Sequence, residues 1–210
     1  MDTLISLQWM QSFIVCSAIQ LYSEKALASV RNARYITCTL FQIYFVSSAF
    51  CIVWWGFLGS KDHFELRELT IQNINNIYGY FVYDMVYIMI DYPDATYIIH
   101  HIVSMLIAEA GKSMGVDETF YHNLICVSLE SPSPFLNLRY LIKDYYPSLK
   151  NVNNGVIYWL YLLCRIVSFP IIYFFFIKEI KEDYVYGVST GFGLIYVASV
   201  MWFLKISKLT

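Results

Sequence analysis

Asp84, His100, His101, Glu109, His122, Glu130 and Arg165 all lie inside or at the edge of long hydrophobic runs, where ionisable side chains are rare. Carboxylates and imidazoles can exchange protons, and a histidine oriented by an acid can serve as general base or nucleophile. A charge at the centre of a membrane helix costs about 2.5–3.5 kcal/mol on insertion scales, so such groups turn toward a bundle interior or a cavity. Several of them in neighbouring segments imply one shared polar interior. The spacing adds detail. His122, Cys126 and Glu130 fall at i, i+4 and i+8 and stack along one helix face, and His101 shares a face with Ser104 at i, i+3. His100 then points about 100° away. Asp84 sits among Tyr80, Tyr83 and Tyr87, whose hydroxyls are suited to bond a buried carboxylate, and Asp84 and Arg165 are candidates to pair with neighbours or with each other. Glu109, near a segment end, and His63, in the charged KDHFELRE stretch read as a loop, are expected to be solvated.

The elements that must position these groups are membrane helices. At 58% hydrophobic and 14% charged residues, with a mean hydropathy of +0.51, the chain is too apolar for an ordinary soluble domain, where about 25% of residues are charged. A hydrocarbon core of about 30 Å needs about 20 residues of helix. Seven apolar segments are candidates: Leu4–Tyr22, Tyr35–Leu58, Ile74–Ile90, Thr96–Ala110, Thr119–Leu136, Gly155–Ile177 and Tyr184–Leu204. The second and seventh contain no charged residue, whereas the fourth is short and polar enough to suit a re-entrant or buried segment. Continuous apolar runs exclude the alternating pattern of a β-barrel. Leu4–Tyr22 follows no positive n-region and precedes no small-x-small cleavage site, so it reads as a retained first span. The expected fold is an all-α polytopic bundle or barrel of six to seven transmembrane helices, with residues 1–34 as a first helix and loop and 35–205 as the main domain.

Alternating spans put Lys25, Arg31, Arg34, Arg139, Lys143, Lys150, Lys205 and Lys208 on one side, and Lys61, Arg67, Lys112, Lys178 and Lys181 on the other. This bias favours a lumenal or extracellular N-terminus and a cytosolic C-terminus. Pro132 and Pro134 should end or kink the fifth segment beyond Glu130, and Pro170 the sixth beyond Arg165.

Other chemistries fit poorly. A net charge of −2 supplies no basic stripe for nucleic acid. The five cysteines lie in apolar stretches without a CxxC pair, and read as small buried hydrophobes. Four histidines cannot furnish a many-histidine di-iron shell. Zinc held by His100 or His101, His122 and Glu130 is stereochemically possible, but no HExxH-like spacing supports it, so no metal or resident cofactor is expected. Neither a Gly-rich phosphate loop nor a GxSxG elbow is present.

The segments GYFVYDMVYI, HHIVSMLI, LESPSPFLNLRYLI and NNGVIYWLYLLCRI resemble, in content and order, the TLC-domain family, over roughly residues 35–205. The S-P-F-x-N-x-R-Y stretch at Ser133–Tyr140 is most similar to the small TLC-domain-containing proteins, and ceramide synthases are more distant. The resemblance implies a helical barrel around a lipid-accessible cavity, usually in the endoplasmic reticulum, or in a host membrane if the chain is viral. It implies membrane lipids as partners, a sphingolipid or acyl-CoA among them, and leaves oligomerisation open. His100, His101, His122 and Leu129–Glu130 match the ceramide-synthase pattern, with Ser104 in a threonine position. Asn123 and Cys126 stand where that pattern has acids, so two ionisable groups are missing.

Three readings follow, one of them a structural translocon-associated helper that needs none of these polar residues to be catalytic. In the first, the protein binds lipid or acyl-lipid in a polar intramembrane cavity lined by Asp84, Ser104, His122, Cys126, Glu130, Asn137 and Arg165, and influences membrane lipid composition or trafficking. In the second it is an acyltransferase that acylates a sphingoid base from acyl-CoA. There His101, with His100, would be catalytic, and Asp84, His122 or Glu130 would assist proton transfer.

Overall fold

The computed structural model describes residues 2–27, 29–91, 95–112, 116–178 and 182–208. Among these there are eight successive helices and no strand: α1 (Asp2–Leu27), α2 (Val30–Leu58), α3 (His63–Asp91), α4 (Ala95–Lys112), α5 (Val116–Glu130), α6 (Ser133–Tyr145), α7 (Pro147–Phe176) and α8 (Glu182–Ile206). Three helices are long and apolar enough to cross a membrane, at Val30–Leu58, Pro147–Phe176 and Val185–Ile206, and Ala95–Glu109 is a shorter apolar helix. Their outward faces carry large apolar side chains such as Phe50, Phe57, Ile171, Phe174, Met201 and Leu204. The molecule is an all-α membrane bundle.

Local chemistry sets the helix ends. Ser29 caps α2 by accepting from the Asn32 N–H at 3.3 Å. At the other end Gly59 adopts φ +61, and its N–H closes onto the Gly56 carbonyl. α2 therefore starts before the Tyr35 expected from hydropathy, and Arg34 belongs to a helix rather than a loop. The KDHFELRE stretch is likewise helical from His63 onward, with Asp62 Oδ1 accepting from the Glu65 N–H at 2.8 Å. Hydropathy missed this because the first two turns of α3 are polar and lie exposed or half-buried, the buried face starting at Thr70 and Asn73. The expected fifth segment, Thr119–Leu136, is two helices. Pro132 and Pro134 lack the N–H groups that would carry α5 past Glu130, and Pro134 sits in the first turn of α6, where that loss is harmless.

α7 is composite. A 3₁₀ turn at Pro147–Leu149 leads into regular helix, which widens to π geometry over Tyr161–Ser168 before the final turns Phe169–Phe176. Pro170 cannot donate to the Ile166 carbonyl, which accepts instead from the Tyr196 hydroxyl at 3.5 Å. Wide turns of this kind mark functional segments in many helices. Here the segment holds Tyr161 and Arg165 fully inside the bundle.

Neighbouring contacts close a ring of α2, α3, α4, α8, α7 and α6, with α5 packed against α2, α3, α4, α6 and α7. α1 lies against α2 and α3. One apolar cluster (Cys16, Phe41, Phe45, Tyr80, Tyr83) joins α1, α2 and α3. A second (Ile125, Leu129, Phe169, Phe192, Ile195) joins α5, α7 and α8. The polar groups of α4 lie between these two clusters.

α1 approaches α3 closely at Gly79, where an added Cβ would collide with the Trp9 carbonyl and the Ser12 side chain. Ser12 donates to Asn76 Oδ1 at 2.7 Å and Tyr83 donates to Gln20 Oε1 at 2.7 Å along the same contact. Gly79→Ala is expected to lower stability by about 1–3 kcal/mol through overpacking. Gly155→Ala, at a helical glycine with open space around it, should be neutral or slightly stabilising. Thermal unfolding of the two variants in detergent checks the contrast.

Candidate functional site

α4 presents two adjacent histidines that reach in different directions, and each meets a different carboxylate. His101 Nε2 lies 2.9 Å from Asp84 Oδ2 of α3. On the other oxygen, Oδ1, Asp84 accepts from Arg34 Nε at 3.0 Å and Nη2 at 2.9 Å, and from the Cys38 thiol at 3.2 Å. The whole of Asp84 is thus committed: arginine and thiol take one oxygen, imidazole the other. The carboxylate can only accept, so His101 Nε2 carries the proton between them.

His100 points to Glu130 at the end of α5, with Nε2 3.8 Å from Oε1, an electrostatic contact longer than a hydrogen bond. Glu130 Oε2 accepts from Ser133 Oγ at 2.8 Å and lies 3.8 Å from Arg165 Nη2. Arg165 donates through Nη2 to Ser133 Oγ at 3.1 Å, through Nη1 to Tyr161 at 3.2 Å, and through Nε to the Leu129 carbonyl. Its guanidinium also lies over the rings of Tyr161 and Trp202. The break at Pro132 supports this cluster, since it brings Ser133 to Glu130 across the α5–α6 junction.

Asp84 and Arg165 pair with other groups and not with each other: each belongs to a separate ion-pair cluster. The tyrosines beside Asp84 also bond elsewhere, Tyr83 to Gln20 and Tyr80 as acceptor from Gln42. Both histidines keep a buried Nδ1 without a hydrogen-bond partner. A neutral ring whose Nε2–H is held by a carboxylate presents a lone pair at Nδ1, the orientation principle of a triad histidine.

Beside the two clusters is a cavity of about 40 Å³, room for roughly three water-sized groups. Its wall is mainly apolar (Phe45, Ile77, Phe81, Ile107, Ile125, Phe192, Ile195), and its polar lining is Ser104, His122, Cys126 and Glu130. Of the remaining expected residues, Asp84, His100, His101 and Arg165 form the clusters just described and are not part of this wall, although Phe81 packs on the His101 ring at 4.7 Å. Asn137 is elsewhere on α6, where it donates to Gln42 Oε1 at 2.8 Å and extends a polar link through Gln42 to Tyr80. Glu109 pairs with Lys112 at the exposed end of α4. Among the described residues, no three His, Cys, Asp or Glu side chains converge as a metal would require.

Arg34 is the site residue that hydropathy hides, because it stands among polar neighbours at the mouth of an apolar run. The buried stripe of α2 reveals it. Running back from Phe45 through Phe41 and Cys38 at helical spacing arrives at Arg34. Ser133 and Tyr161 are local partners, three residues from Glu130 and four from Arg165, whereas only tertiary structure brings Trp202 to His100.

The family model described as the TLC domain matches residues 26–208. No curated protein and no solved structure matches the chain.

Removing one partner of a buried ion pair leaves an uncompensated charge, at a cost of about 3–5 kcal/mol. Arg34→Met should therefore destabilise the protein by about that amount, and Arg34→Met with Asp84→Leu should recover most of it. Chemical unfolding of both variants in the same detergent checks this double-mutant comparison.

Proposed function

This chain belongs to the TLC-domain family, and on that premise we propose that it binds the acyl portion of a membrane lipid and so influences membrane lipid composition or trafficking. The observation that carries the reading is the composition of the cavity wall. Apolar side chains dominate it, and Ser104, His122, Cys126 and Glu130 supply the few polar groups. This is the usual make-up of a small-molecule site, apolar for affinity and sparsely polar for orientation. At about 40 Å³ the space admits a narrow chain segment and excludes a bulky headgroup, so the headgroup and the rest of the tail would lie outside it. Membership of the family favours an endoplasmic reticulum membrane as the setting.

One observation favours a second reading, acyl transfer from acyl-CoA to a sphingoid base. His101 is fixed by Asp84 through Nε2 and keeps Nδ1 unpartnered, so the ring is oriented for general-base or nucleophilic work. The acyl-binding reading ranks first because Asn123 and Cys126 replace two acids of the ceramide-synthase pattern. Asn123 is moreover engaged in bonding Thr70 at 2.8 Å, tying α5 to α3.

Ala108 is buried and lines the cavity, so the three added carbons of Ala108→Leu would compete with a ligand for the space. Lipid retained through purification, quantified by mass spectrometry, is expected to fall at least about tenfold in Ala108→Leu, a loss of about 1.4 kcal/mol. Unchanged lipid retention would overturn the reading. Labelled acyl-CoA and sphingoid base given to the purified protein decide the second reading: product above a vector control that disappears in a folded His101→Gln variant would establish it.

A further inference from the structure

We propose that Cys126 is an acyl acceptor, forming a thioester with a long-chain acyl group delivered by an acyl thioester, and that His122 is its base. The proposal rests on the acyl-binding reading above and adds a covalent step to it. Among the five cysteines, Cys126 is the one placed for this. Cys38 donates to Asp84, Cys16 is fully buried between α1 and its neighbours, and Cys51 faces outward from α2. Cys164 is away from the cavity wall, and its carbonyl accepts from Ser128. Cys126 alone lines the cavity.

Two further groups on the same wall point to a ligand. His122, only 6% exposed, stands one turn before Cys126 on α5, and its Nε2 lies 3.9 Å from the thiol sulfur. Ser104 supplies the other. Its Oγ is buried and has no hydrogen-bond partner, although a helical serine can ordinarily bond the carbonyl one turn back. A buried hydroxyl left unpaired is destabilising unless something supplies the bond. An acyl carbonyl oxygen entering the cavity is an acceptor of the right kind. Nucleophile, base and hydroxyl donor thus share one apolar wall that suits a hydrocarbon chain.

The step balances simply. The Cys126 sulfur attacks the acyl carbonyl carbon as His122 takes the thiol proton, and the carbonyl oxygen draws charge that Ser104 can bond. The carbon–sulfur bond to the donor breaks, and the donor leaves as a free thiol carrying the proton returned by His122. No oxidant, metal or further reactant is needed. The acyl group can leave later to any nucleophile that reaches the cavity.

The test uses the full chain in lipid nanodiscs, incubated with hexadecanoyl-CoA and, separately, with its thioether analogue, which can bind but cannot transfer. The expected result is one hexadecanoyl group added per chain, mapped to Cys126 in the wild-type protein and removed by neutral hydroxylamine. Cys126→Ser should abolish the adduct and Cys51→Ser should retain it. His122→Gln should slow its formation at least about tenfold. Site mapping on wild-type protein keeps the result independent of how well any variant folds. If the thioether analogue binds while no adduct forms, or the adduct maps to another cysteine, the thioester proposal is overturned and acyl binding stands. If the analogue does not bind, both fall.

Discussion

The structure depends on holding two carboxylates inside a bundle whose outer surface is hydrocarbon-like. An ion the size of a carboxylate pays several kcal/mol on leaving water even after relaxation, and only close, well-aligned partners offset that. Asp84 and Glu130 meet the demand with the same set of groups, an arginine from another helix and a histidine from α4. Because His100 and His101 are consecutive, their side chains leave α4 in different directions, and one helix serves both carboxylates. This ties α4 to α2 and α3 on one side and to α5, α6 and α7 on the other. A shift or rotation of α4 would withdraw an imidazole from both carboxylates at once, so polar contacts, beyond apolar packing, help to set its register.

The clusters differ in tightness. Asp84 is fully bonded, with Arg34 and Cys38 on one oxygen and His101 on the other. Glu130 has one short bond, from Ser133, and its histidine and arginine both stand at 3.8 Å. Arg165 spends its donors mostly on Tyr161, Ser133 and the Leu129 carbonyl. The looser carboxylate is the one that lines the cavity. Rigidity therefore lies on the α2–α3 side, and capacity to accept a further polar group on the α5–α7 side.

Much of this was legible in the residues themselves. Period and hydropathy located α2, α7 and α8, and the cost of intramembrane charge singled out Asp84, the histidines, Glu130 and Arg165 as interior groups. The i, i+4, i+8 spacing put His122, Cys126 and Glu130 on one face, and those three do share the cavity wall. Pairing was not legible, because which arginine meets which carboxylate depends on how helices distant in sequence pack. Hydropathy windows also erred where a helix runs on through polar residues, as at Arg34 and at His63–Asn73. An amphipathic end is still helix when its polar side chains are buried against other polar groups. Pro170 suggested a kink beyond Arg165, whereas the π geometry lies before it, over Tyr161–Ser168, and the inward placement of Tyr161 and Arg165 belongs to tertiary structure.

The charge pattern also constrains what the cavity can hold. Two carboxylates and two guanidinium groups neutralise one another beside it, and the histidines add no fixed charge while neutral. A ligand with a full charge would find no uncommitted counter-ion in the clusters, and would pay its own desolvation inside an apolar wall. A neutral chain with a single acceptor pays almost none, and satisfies one buried hydroxyl that is otherwise unpaired, that of Ser104. The same reasoning makes a thiol better suited than an acid to position 126. An acid there would add a third buried negative charge one turn from Glu130, with both interior arginines already engaged. Cys126 keeps a sulfur on the cavity wall at the desolvation cost of a small hydrophobe.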